Sequence, residues 1–151
     1  MRHGSRPLAA LSLLAVTPVI GGAAPVADAA RLTVTVSELR SSDGLVRACL
    51  TPDPGDFPNC KHQPANHQLT VRAADKVTLV FKGIEPGRYA VALLHDENGN
   101  GKVDRALVLP KEGFGFSRDA KLQMGPPRFD AAAIDLKSGQ NRQTIRMRYI
   151  L

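Results

Sequence analysis

The sequence has no tryptophan, two tyrosines and five phenylalanines in 151 residues. So few aromatic rings argue against the stacking platforms of sugar-processing enzymes and of single-stranded nucleic-acid binders. Cysteine is also scarce. Cys49 and Cys60 are the only two, and they supply neither the C-x-x-C pair of redox catalysts nor the four-ligand spacing of a structural zinc site. No stretch carries apolar residues at helical period over the roughly ten positions a helix needs. No apolar run reaches the ~20 residues that span a bilayer either. The longest, Leu8 to Ile20, is interrupted by Pro18 and followed by Gly21 and Gly22.

That run has another use. Arg2 and Arg6 precede it, and Ala27-Asp28-Ala29 follows with the small-x-small pattern that a signal peptidase accepts. Residues 1–29 are expected to be a signal peptide cut after Ala29, with a retained N-terminal anchor as the alternative. The remainder, residues 30–151, is about 122 residues long and fits one domain with one sizeable core. A periplasmic or secreted location follows. In an oxidising compartment an even cysteine count favours a Cys49–Cys60 disulfide, closing a loop that holds Pro52, Pro54, Gly55 and Pro58.

What is present is mostly strand signal. Leu32 to Ser37 alternates apolar and polar residues, and Ser41-Ser42-Asp43-Gly44 turns the chain toward a returning strand at Leu45 to Leu50. Further short segments rich in Val, Leu, Ile, Phe or Tyr lie at Gln68 to Ala73, Val77 to Phe81, Arg88 to Leu94, Asp104 to Leu109, Phe114 to Ser117, Ala132 to Leu136 and Gln143 to Tyr149. Pro86-Gly87 reads as the centre of a type II turn, with positive φ at the glycine. Only Phe129 to Ile134 hints at a helical turn. The expected fold is all-β, a single antiparallel β-sandwich of about seven short strands, transthyretin-like or immunoglobulin-like.

The sharpest chemical motif is Asp96-Glu97-Asn98-Gly99-Asn100-Gly101-Lys102-Val103-Asp104. Asp96, Asn98 and Asn100 take the first, third and fifth positions of an EF-hand-type loop, and Gly101 takes the sixth, where the backbone turns. The Lys102 carbonyl falls at the seventh and Asp104 at the ninth. Leu107 stands at the twelfth, where a bidentate Glu belongs, so the loop is an incomplete oxygen cage. Calcium is the expected cofactor, at the weak end of its range, about 10⁻⁴ to 10⁻³ M, with Glu112 as the nearest additional ligand. The alternative is an Asx-rich turn whose side chains bond only to local amides.

Other chemistry is thinner. His95 reads as a support for the loop, with an acid–base role as the sharper alternative. Cys60, His62 and His67 could suggest zinc, but a disulfide consumes Cys60. Ser117 lacks the G-x-S-x-G elbow, and Glu97 with Glu112 lacks the aromatic platform that would accompany a glycosidase pair. Arg142, Arg146 and Arg148 alternate with apolar residues and read as the solvated face of a last strand rather than as a nucleic-acid patch. Phe114 and Phe116 share a strand face, read as core packing in preference to a ligand platform.

Longer-range order in the motifs carries a resemblance. Phe81-Lys82-Gly83-Ile84-Glu85-Pro86-Gly87-Arg88-Tyr89-Ala90-Val91 leads into the His95 to Asp104 loop. Pro110-Lys111-Glu112-Gly113-Phe114-Gly115-Phe116-Ser117 and Gly125-Pro126-Pro127-Arg128-Phe129 follow. In this order they resemble the bacterial exported family catalogued as domain of unknown function 2141, over essentially the whole mature chain. The resemblance implies a small exported protein with a sandwich similar to transthyretin-like and carboxypeptidase-regulatory-like domains, and it implies no activity.

The reading from sequence is a monomeric, non-catalytic binding or structural module of the cell envelope. Its expected partner is an envelope protein or polymer, not nucleic acid, and the mature chain has no membrane span. The alternative is a hydrolase or other enzyme using His95 and Glu112 in a pocket beside the loop.

Overall fold

The computed structural model describes residues 1, 28–60, 64–101, 105–106 and 109–150. The signal-peptide reading of residues 2–27 lies outside them, as do Lys102, Asp104, Leu107 and His62. The strands are β1 (Ala30–Ser37), β2 (Leu45–Thr51), β3 (His67–Arg72), β4 (Val77–Ile84), β5 (Gly87–Asp96), β6 (Arg105–Ala106), β7 (Leu109–Pro110), β8 (Gly113–Phe116), β9 (Ile134–Leu136) and β10 (Gly139–Arg146). A 3-10 turn at Ser117–Asp119 and a single helical turn, α1 (Phe129–Ala132), complete the described elements.

Eight strands form two sheets. One is ordered β10-β1-β4, the other β3-β2-β5-β8 with β9 on β5, and β6 and β7 make a separate ribbon. The sheets pack face to face as the expected sandwich. Alternation produces the shared core: Leu32, Val34 and Val36 of β1 meet Leu79 and Phe81 of β4, while Val46, Ala48 and Leu50 of β2 and Val91 and Leu93 of β5 close it from the other sheet. Each fully buried Val, Leu or Phe contributes about 1.5–3 kcal/mol, so a one-residue slip of β1 would forfeit several such terms at once.

Two details depart from the sequence reading. β10 runs parallel to β1, Val36 opposite Ile145, although every other pairing is antiparallel. Gly87 is not among the glycines with positive φ, whereas Gly83 is, at 67°. The type II turn is therefore corrected, and the physical reason is pairing: Gly87 lies opposite Leu136 and is drawn into extended backbone as the first residue of β5.

The five-stranded sheet also carries apolar residues on its outer face. Cys49, Ala90, Ala92 and Phe116 gather there with Cys60, Phe129, Ala132 and Ala133. Phe57 joins them edge-on, 5.8 Å from the Phe116 ring and 6.1 Å from that of Phe129. The Cys49–Cys60 disulfide is formed and pins the proline-rich loop onto this second cluster. One end of the outer face is thus covered, and the end nearer Arg47, Leu94 and Phe114 is left open.

Candidate functional site

Asp96 ends β5 on the outer face of the sheet, and its side chain is fully buried. Burial opposes its ionisation, but the Arg47 guanidinium and the N–H groups of Gly101 and Asn100 outweigh that penalty and hold the carboxyl below the usual aspartate range. Arg47 lies opposite Leu94 on the neighbouring strand, so Asp96 is its diagonal neighbour on the same face. Arg47 Nε donates to Asp96 Oδ2 at 2.8 Å, Gly101 N–H donates to the same oxygen at 2.8 Å, and Asn100 N–H donates to Oδ1 at 3.1 Å. Asn98 Oδ1 accepts from that Asn100 N–H as well, at 3.1 Å. Gly101 turns the chain at φ 75°, as the loop reading requires.

The side-chain oxygens of the first and third loop positions, Asp96 and Asn98, therefore meet at the backbone N–H of the fifth, Asn100. An ionised carboxylate accepts about four hydrogen bonds. Three are used at Asp96, which leaves about one position for a metal, beside a guanidinium that already neutralises the charge. Lys102 and Asp104, the remaining expected ligands, lie outside the described residues. Among the described residues no group of three or more His, Cys, Asp or Glu side chains is placed to hold an ion.

Glu112 and His95 lie on the inner side of the loop. Glu112 is buried, and its Oε2 accepts from the Glu97 N–H at 3.1 Å, so it anchors the loop's second residue. Glu97 itself turns outward to the Arg40 guanidinium, which lowers its pKa against the cost of burial, and takes a 2.7 Å bond from the Ser41 hydroxyl. His95 is fully buried on the core side of β5. Its Nε2 lies 2.8 Å from the Asp43 carbonyl, which can only accept, so that nitrogen carries the proton. Nδ1 then accepts from the Tyr149 hydroxyl at 2.7 Å. Burial raises the Tyr149 pKa, keeping the hydroxyl a donor. The same oxygen accepts from the Arg40 N–H at 3.2 Å, and the Arg40 guanidinium stacks 4.4 Å from the Tyr149 ring. His95 is thus held between the Asp43 carbonyl and the Tyr149 hydroxyl. Tyr149, which bonds His95, and Arg40, which bonds Tyr149, carry no local pattern that would link them to His95, since they lie 54 and 55 positions away on either side.

Ser117 is fully buried and structural. Its Oγ accepts from Val91 N–H at 2.9 Å and donates to the Ala132 carbonyl, tying β5 to α1.

The open end of the outer face is a cleft of about 740 Å³. Its floor is made by the Cys49–Cys60 bridge, Ala92, Leu94, Phe114 and Phe116, and its walls by Pro58 and Asn59 on one side and by residues 122–126 on the other. Arg47 and Gly101 close the end nearest the ion-type loop. Neither His95 nor Glu112 lines it. Phe116 is buried as core, as expected, whereas Phe114 is half-buried and faces the cleft. Arg47, the residue that joins loop to cleft, was missed from the sequence, because its partnership depends on the β2–β5 register rather than on spacing along the chain.

Comparison with known proteins adds a family. The profile of a family described as an uncharacterized protein conserved in bacteria, DUF2141, matches residues 34–144. No curated protein and no solved structure matches the chain.

Proposed function

The chain belongs to DUF2141, a bacterial family whose description assigns no activity, and from its site geometry we propose that it is a non-catalytic binding module of the cell envelope. In this reading the leader at residues 1–29 directs export, the mature protein is periplasmic or secreted, and the outer face of the five-stranded sheet is the ligand surface. The observation that carries it is the cleft beside the Asp96 loop. Ligand sites are concave, mainly apolar and lined by a few polar groups, with volumes of roughly 300–1,000 Å³. The candidate reactive side chains support the same view, since His95, Glu112 and Ser117 are all buried and engaged in holding strands and loops together. The disulfide fits an oxidising compartment.

Calcium enters this proposal as a weakly held brace. It would share the remaining acceptor position of Asp96 with oxygens of Asn98, Asn100, the Lys102 carbonyl and Asp104, stiffening the rim that Gly101 contributes to the cleft. Arg47 makes the affinity low, because a guanidinium repels a divalent cation at the same carboxylate.

The test is retention on purified envelope material, with and without calcium, of the mature protein and of an Ala92→Trp variant that fills the cleft floor. The module reading expects the wild type to be retained and the filled variant to be released. Equal retention of both, or of neither, would sink it.

A further inference from the structure

We propose that the cleft binds an apolar carboxylate, with the Arg47 guanidinium as its anion partner. This rests on the binding-module reading and names the ligand class.

Charge complementarity supplies the first argument. Arg47 is the one charged side chain among the described residues that line the cleft. Its Nε–H is committed to Asp96, which fixes the plane of the guanidinium. A guanidinium has five N–H donors, and the Nη groups of Arg47 have no protein partner among the described residues. Its side chain keeps 36% of its surface exposed. A fixed fork of free donors matches a carboxylate well, and because Asp96 has already immobilised it, little side-chain entropy remains to be lost on binding.

The rest of the cleft sets the body of the ligand. Leu94 and Phe114 lie beside Arg47 across the sheet, followed by Phe116 and the disulfide, so an apolar strip of floor leads away from the cation between walls that also carry Asn59 and Gln123. Met124 on the far wall is fully exposed and offers a flexible apolar contact. The polar groups that share the cleft are the neutral amides of Asn59, Gln68 and Gln123, one Gln68 N–H being given to the Cys60 carbonyl, so none of them competes with Arg47 for an anion's charge. A polyanion would meet a single cation. One carboxylate on a hydrocarbon or aryl body is the chemistry that uses both halves of the site.

The probe is octanoate, titrated into the full mature protein and followed by amide shifts in two-dimensional NMR, with 1-octanol and octylammonium as neutral and cationic controls of the same chain length. For a ligand of this size, dissociation near about 1 mM is expected. Octanoate should bind at least about fivefold more tightly than either control, with shifts at Arg47, Phe114 and Met124, and Arg47→Gln should erase the difference between octanoate and octanol. Met124→Asp changes an exposed side chain only. By setting a like charge on the far wall it should weaken octanoate severalfold more than octanol, which loses only an apolar contact; this decides the question if Arg47→Gln does not fold, and equal weakening of the two overturns the proposal. Equal binding of octanoate and octanol to the wild type, a preference for octanoate that survives a folded Arg47→Gln variant, or no shift at about 10 mM (ten times the expected dissociation constant) overturns the proposal. Envelope retention that persists after such a failure leaves the module reading standing.

Discussion

Replacing Arg47 by Gln tests the Asp96 loop most directly. The substitution removes a charge-assisted bond from a carboxylate that is fully buried, while its bonds from Gly101 and Asn100 remain. Breaking a wholly buried pair costs about 3–5 kcal/mol. Here the arginine is partly exposed and two amide donors stay in place, so a cost nearer 2 kcal/mol is expected, within the range for bonds to charged groups. For a domain of this length that is roughly an 8 °C fall in Tm. The pH dependence provides a second reading. Because the folded-state pKa of Asp96 is depressed, its contribution is complete above the unfolded value near about pH 4 and is lost as pH falls through the folded value. The gap between wild type and Arg47→Gln should therefore be full at pH 7 and close progressively below about pH 4. Urea denaturation across pH 2.5 to 7 would measure it, and a double-mutant cycle with Asp96→Asn would isolate the coupling. A variant within about 0.5 kcal/mol of wild type at pH 7, with a parallel curve into acid, would refute the view that Arg47 is the cation this carboxylate was built around.

Other expectations follow from the same contacts. Reducing the Cys49–Cys60 bridge, whose separation is 11 residues, should cost about 3 kcal/mol in denaturant and loosen the cleft wall first, visible as faster amide exchange around Asn59. Gly113→Ala would place a Cβ 2.3 Å from Tyr149 Cε1. Displacing that ring breaks its bond to His95, so a loss above about 2 kcal/mol is expected by thermal denaturation, with a changed His95 imidazole signal in NMR. At 10 mM calcium a site with a dissociation constant of about 1 mM should stabilise by about 1.4 kcal/mol over chelator, and Asp104→Ala should remove this without disturbing the Arg47 pair. No calcium response in wild type at that concentration would dismiss the ion.

The strands were readable because alternation is a local signal. Leu32 to Ser37 announces its buried face within six residues, and the segments around Val77, Leu93 and Phe116 do the same. The loop was readable as far as Asp96, Asn98, Asn100 and Gly101, whose bonds span at most five residues. What escaped depends on register. Arg47 meets Asp96 because β2 and β5 pair with Arg47 opposite Leu94, and Tyr149 meets His95 because the chain beyond β10 crosses behind Gly113. Phe114 and Phe116 share one face, yet only Phe116 is covered, since the disulfide loop and α1 reach no further along the sheet. Nothing in a two-residue spacing reports where a cover ends.

The parallel pairing of β1 with β10 bears on when the molecule can fold. Ala30 lies opposite Gly139, so the central strand of its sheet must wait for a partner roughly 110 residues downstream, and closing so long a loop is entropically costly until the rest of the sandwich exists. A chain made from its N-terminus leaves β1 without that neighbour until β10 itself has been made. In the export reading proposed above this is a useful delay, because the sandwich cannot close until the last of its described strands has arrived.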